Sequence, residues 1–289
     1  MNIIFQINGG IGKCVAATAV CEVIKKTYPD SSLIVISGYP DVFLNNPSVQ
    51  RCFAFGNMPY FYEDRIEGKE FKIFAHDPYV ETKHIMQSEH LIETWCKMYG
   101  MEYNDEKPKI FLTDRERNFY GNKFTSDKPI LAIQTNGGAD TNIKYSWARD
   151  VPSKLVAEVI AKYKSEYNVV HIRREDQLGY DGTFPYQDNF RSIAVLIERS
   201  DKRFFMDSFC QHAAAALDKP STVIWIANKP NVFGYECHSN IISNKFTRKP
   251  ELKNSVYQQF NIAGDPLEFP YNNEDEMFNT EEVMKSIIG

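Results

Sequence analysis

The chain has 289 residues, 43% apolar and 13% aromatic, with a formal net charge of −5, enough for two domains of ordinary size with real cores. The acidic balance argues against the strongly basic footprint of a nucleic-acid-coating protein, though it leaves a local basic groove open. No apolar stretch approaches the roughly 20 residues that span a bilayer, and the N-terminus lacks a signal peptide's charged start and cleavage site. A soluble, cytoplasmic protein without an integral membrane segment is therefore expected.

In chain order, Ile3 to Ile7 reads as a strand and Val15 to Thr27 as a helix that stops at Tyr28-Pro29-Asp30, since proline cannot continue it. Ser32 to Ser37 is β-branched on nearly every residue, as strands buried on both faces of a parallel sheet are. Cys52 to Phe55 and Lys72 to Ala75 read as two more strands, and His84 to Tyr99 as one amphipathic helix closed by Gly100. Asn104 to Lys128 is charged, with a helical piece at Asp114 to Phe124, and reads as a connector.

The alternation then restarts. Strands are expected at Ile130 to Gln134, Val169 to Ile172, Arg203 to Met206 and Ser221 to Ile226. Helices are expected at Val151 to Tyr167, Phe190 to Ser200, Ser208 to Leu217 and Thr280 to Ile288. The β-α-β order predicts an α/β protein of two Rossmann-like, doubly wound parallel-sheet domains. Their spans are residues 1–125 and 126–275, with a terminal helix at 276–289 that could pack back on the first domain. Cys14, Cys21, Cys52, Cys96, Cys210 and Cys237 are scattered without a C-x-x-C pair, which reads as reduced thiols and not as disulfides or a zinc site.

Three glycines, Gly9, Gly10 and Gly12, precede Lys13 at the carboxyl end of the first strand. A phosphate loop of the form G-x-x-x-x-G-K-[ST] fails at both ends, because Ile7 stands five positions before Gly12 and Cys14 follows Lys13. A dinucleotide fingerprint fails because Val15 stands where its third glycine belongs. What is left is a glycine-lined turn where open α/β sheets place their ligands, or a tight turn with no ligand. The second domain opens similarly, with Thr135-Asn136-Gly137-Gly138 after its first strand, then Lys144 and Trp147. Two such loops facing each other would form a cleft with two half-sites. Further on, Asp207-Ser208 opens a helix whose amides would point at that cleft, with His212 one turn inside. An ordinary N-cap and a core histidine are the plain alternatives.

The ordered set resembles the nucleotide-sugar glycosyltransferases typified by the ADP-heptose:lipopolysaccharide heptosyltransferases, which have the GT-B fold. It rests on Ile11-Gly12, Tyr28-Pro29-Asp30, Asn46-Pro47-Ser48-Val49, Lys144 with Trp147, and Asp207-Ser208 to His212 followed by Ala-Ala-Ala-Ala-Leu-Asp-Lys-Pro, across residues 1 to 245 and the terminal helix. The resemblance implies metal-independent, inverting transfer of a sugar from a nucleotide-sugar on the second domain to a hydroxyl of a glycan or other acceptor on the first. No separate cofactor is expected, and no Asp-x-Asp pair is present to hold a metal on a diphosphate. By resemblance Lys144 pairs with the phosphates, and Asp207, Ser208 and His212 line the donor site; Asn136, Gly137 and Gly138 join them by the place of their loop at the strand's carboxyl end. Arg173 and Arg174 are added as phosphate or ribose contacts, with exposed surface arginines the equal alternative.

Two positions depart from the family. Lys13 stands where the family keeps an aspartate thought to act as the base, and Phe209 where a glycine is expected. A lysine there would be an anion ligand unless burial made it basic. The replacement base is therefore sought in His76-Asp77, at the same sheet edge. Two other functions stay open: a transferase acting on modified DNA bases, against which the net charge weighs, and a non-catalytic nucleotide-sugar binder.

Overall fold

The computed structural model describes residues 1–137, 145–249 and 269–288. Strands β1 (Asn2–Ile7), β2 (Ser32–Ser37), β3 (Arg51–Ala54) and β4 (Phe71–Phe74) form one sheet in the order β3-β2-β1-β4. Strands β5 (Ile130–Gln134), β6 (Asn168–Ile172), β7 (Phe184–Tyr186), β8 (Lys202–Met206), β9 (Thr222–Trp225) and β10 (Ser239–Ile242) form the second, in the order β7-β6-β5-β8-β9-β10. Every pairing between these strands is parallel. Counted within its own domain, the second sheet runs 3-2-1-4-5-6, the dinucleotide-fold order, and the first runs 3-2-1-4. Each order reverses beside its first strand, between β1 and β4 and between β5 and β8, and such reversals open a crevice at the carboxyl ends of the strands.

Ten helices accompany the strands among the described residues: α1 (Ile11–Thr27), α2 (Phe61–Arg65), α3 (Thr82–Ile85), α4 (Leu91–Met98), α5 (Asp114–Gly121), α6 (Ser153–Tyr163), α7 (Phe190–Arg199), α8 (Phe209–Ala216), α9 (Pro230–Phe233) and α10 (Thr280–Lys285). The expected single helix from His84 to Tyr99 is two pieces, because Gln87 takes a left-handed backbone, with φ 50°, and His90 restarts the chain by accepting the Ile92 N–H. Strands β7 and β10 have no expectation in the sequence. Both are short, half-exposed edge strands, and Pro185 sits on one of them, where an unpaired edge tolerates it.

Helix α1 is buried almost all round by small residues, among them Cys14, Ala16, Ala17, Ala19 and Cys21. It packs on its own sheet and on α8, so one apolar core runs through both domains. Gly12 is the point of closest approach: a Cβ there would stand 2.8 Å from His212 Cδ2 and 3.3 Å from Phe209 Cα. Gly12→Ala therefore forces backbone apart and is expected to lower the unfolding free energy by about 1–3 kcal/mol, read as a lower urea midpoint; an unchanged midpoint would contradict this contact.

A buried ion pair ties the connector across the domains. Arg191 of α7 donates to Glu116 of α5 at 2.6 and 2.9 Å, to the Phe111 carbonyl at 2.5 Å and to the Asp41 carbonyl at 3.4 Å. The arginine hydrogen bond, with Thr113 completing a capping box on α5, holds the Glu116 carboxyl down at about 2. The terminal helix differs from its expected place. Val283 and Ile287 join Leu155, Val156 and Val159 in the second domain's other core, and Ser286 and Ile288 accept hydrogen bonds from Thr222 and from the Arg203 amide. The apolar face of α10 thus finds the open side of the second sheet.

Candidate active site

The two sheet reversals face each other across a cavity of about 770 Å³, within the size range of small-molecule sites. The first domain contributes the β1–α1 turn and the segment after β4; the second contributes the carboxyl ends of β5, β6 and β8 and the start of α8.

On the first-domain wall, Gly9 turns the chain from β1 into α1 at φ 112°, a conformation that favours glycine. A Cβ at Gly9 would stand 3.0 Å from Lys13 Cδ, so the glycine also makes room for the lysine stem. Lys13 is 4% exposed at its side chain and donates to Asp77 Oδ1 at 2.6 Å. Its Nζ lies 4.2 Å from the Tyr79 ring centroid and 5.5 Å from that of Trp95, within cation–π reach. The Tyr79 amide donates to the same Asp77 Oδ1 at 2.9 Å. Both bonds fall on one carboxylate oxygen, and among the described residues none falls on Oδ2, while the side chain keeps 37% of its exposure. Asp77 is thus oriented through one oxygen and open at the other. His84 stacks on Tyr79 at 4.4 Å, and burial, helped by Lys13, lowers it to about 4.

His76 is placed differently from its neighbour. It is exposed, does not line the cavity, and its carbonyl accepts the Tyr99 hydroxyl. Neither His76 nor Asp77 is among the residues that line the cavity; Asp77 is tied to its wall through Lys13 and the Tyr79 amide, whereas His76 meets Tyr99 through its carbonyl.

On the second-domain wall, Asn136 and Gly137 line the cavity, whereas Gly138 and Lys144 lie outside the described residues. Asp150 fixes the loop by accepting from the Gly137 amide at 2.9 Å and the Ser146 amide at 2.8 Å, and burial raises its carboxyl. Beneath, Thr135 donates to Asn136 Oδ1 and pairs with His171, which burial lowers to about 4. Asp207 is 6% exposed; Asn228 donates to its carboxylate, and Arg149 donates to its carbonyl at 2.6 Å. Ser208 occupies the N-cap of α8 without a side-chain cap, leaving the first amides of that helix uncapped beside the cavity.

Three residues singled out in the sequence are held by their own surroundings. His212 lines the cavity, but its Nδ1 is 2.8 Å from the Tyr235 hydroxyl and burial lowers it to about 3. Arg173 donates to the Arg174 and Gln177 carbonyls, and Arg174 pairs with Asp176, so both shape the loop after β6 as well as the cavity rim. Arg149, Tyr79, Gln87, Gln134 and Asn228 line the cavity without having been anticipated. Only Gln134 carried a trace in the sequence, as a polar residue ending an apolar strand.

No protein-family model and no curated protein sequence matches the chain. Solved structures do. The glycosyl transferase family 9 protein from Veillonella parvula DSM 2008 superposes with a TM-score of 0.67 at 14% identity, over 99% of this chain and 95% of that one. The ADP-heptose lps heptosyltransferase II of E. coli gives 0.63 at 13%, over 84% and 90%. The dodecameric iron-containing heptosyltransferase TibC, in complex with ADP-D-β-D-heptose, gives 0.66 at 15%, over 99% and 72%. What this likeness establishes is the fold: GT-B, two Rossmann-like domains across a cleft. Among the described residues of this chain, no group of three or more His, Cys, Asp or Glu side chains is placed to hold a metal ion.

Proposed function

We propose that this protein is a glycosyltransferase that moves a sugar from a nucleotide-sugar to an acceptor hydroxyl, without a metal and with inversion at the anomeric carbon. The observation that carries the reading is one shared cavity at both sheet reversals, with an oriented carboxylate beside one wall and a cationic, amide-lined helix start on the other. The neighbours' printed names, which include ADP-heptose enzymes, support it.

In this reading Asp77 Oδ2 takes the acceptor hydroxyl proton, the acceptor oxygen bonds to the anomeric carbon, and the bond from that carbon to the diphosphate oxygen breaks with its electron pair leaving on the diphosphate. The acceptor approaches from the first domain and the diphosphate leaves toward the second, on opposite faces of the ring, which inverts the centre. Lys13, in the place of the family's acid, positions Asp77 instead of acting as the base. Uncapped α8 amides, Arg149 and Lys144 meet the negative charge that develops on the leaving group.

A thermal-shift screen of nucleoside diphosphates and nucleotide-sugars tests donor binding, because a ligand that binds only the folded state stabilises it by about 2.7 kcal/mol at a hundredfold excess over Kd. A rise in melting temperature with one nucleotide family is expected; no shift with any of them sinks the donor site. Binding without turnover on any acceptor leaves only a nucleotide-sugar binder, and salt-sensitive retention on DNA would point to modified bases as acceptors.

A further inference from the structure

Two glutamine side chains in the cavity wall each have an amide oxygen without a partner. Gln87 from the first domain is 5% exposed and Gln134 from the second is 4% exposed; both line the cavity, and the Oε1 of each is buried without a hydrogen bond. Buried amides are almost always paired, so each one left open is unfavourable in the empty protein. The backbone at Gln87 adds a second cost. Its φ of 50° is unusual for a residue with a side chain, and it is held there by two bonds: its N–H to the His84 carbonyl at 2.9 Å, and its carbonyl to Asn231 Nδ2 of the second domain at 2.9 Å. Strain and an orphaned acceptor at one cavity-lining residue point to a ligand that completes it.

The chemistry of the amides says what kind of ligand. An amide oxygen accepts only from a group that carries a proton, and an ionised phosphate or carboxylate has none to give at neutral pH. The same cavity answers anions elsewhere, with Arg149 at the end nearest Asp207. A hydroxyl both donates to Oε1 and accepts from Nε2, so it satisfies either orientation of the amide. We infer that Gln87 and Gln134 read the hydroxyls of the uncharged, polyhydroxylated ring that is transferred, one from each side of the cleft. This rests on the donor reading above and adds the class of sugar: neutral at the positions these amides touch.

The test is calorimetric binding of ADP and ADP-glucose, UDP and UDP-glucose, and GDP and GDP-mannose to the wild-type chain, Gln87→Met and Gln134→Met, with unfolding midpoints measured in parallel. Methionine keeps the length and removes the amide. The expected result is nucleoside diphosphate affinity unchanged within about twofold, nucleotide-sugar affinity lower by about three- to tenfold in each variant, and midpoints equal or raised, since an unpaired buried amide has been removed. Equal weakening of both ligand types, or lower midpoints with neither affinity changed, overturns the inference and makes the amides structural. Wild-type protein that binds a nucleoside diphosphate no less tightly than its sugar conjugate overturns it too, while leaving the donor site standing. Wild-type protein that binds no probe at all overturns the donor site and this inference with it.

Discussion

Asp77→Asn is expected to lower turnover by about 10²–10⁴-fold, the contribution of a positioned general base, while leaving nucleotide affinity within about twofold. The variant removes the base but also leaves Lys13 Nζ, 4% exposed at its side chain, facing a neutral amide; because Asp77 is itself 37% exposed, the loss is about 1–3 kcal/mol, below that of a fully buried pair. The two effects separate in the double variant Lys13→Met, Asp77→Asn, which removes both charges. It should recover most of the lost stability and none of the lost turnover. If steady-state rates return together with the melting temperature, Asp77 serves the fold and not the reaction.

Acid should unfold the protein between the ordinary histidine value and about pH 4. Burial lowers His84, His171 and His238 to about 4 and His212 to about 3, from an ordinary 6.5. A histidine held neutral in the folded state is protonated first in the unfolded chain, so its contribution to stability is fully present above pH 6.5 and is lost as pH falls toward the folded value. Four such groups give a slope of up to about 5 kcal/mol per pH unit within that window. Against a total of about 5–15 kcal/mol, the chain is expected to unfold before pH 4, as followed by circular dichroism. Glu116, held at about 2, adds loss only below its ordinary 4.5. A transition that begins only below pH 3 would mean that these imidazoles are not kept neutral.

The parts of the fold that were legible share one cause. Strands β1, β2 and β5 are buried on both faces, so their apolar runs are continuous and their limits show in the sequence. Edge strands β7 and β10 bury little and leave no such run. The break at Gln87 was hidden because the apolar periodicity continues across it, and the seat of the terminal helix was hidden because an apolar face does not name its partner.

The site divides the same way. Lys13 was visible as a departure, and the sheet reversals brought Asp77, 64 positions away, to it. That Asp77 and not His76 pairs with Lys13 depends on backbone torsions that the sequence does not carry. Gly12 was read as a ligand turn, and the structure gives it a second duty as the contact between α1 and α8. Gln87 and Gln134 belong to no motif; being buried and unpaired is a property of the folded chain alone.

The most direct test of the central claim is product formation by wild-type protein in excess EDTA, with a panel of nucleotide-sugars and carbohydrate acceptors, following nucleoside diphosphate release and transferred sugar together. The account predicts that both appear in equal amounts and that the new linkage has the anomeric configuration opposite to that of the donor. A donor that binds but releases no nucleoside diphosphate with any acceptor, or a product that retains the donor's configuration, would contradict it.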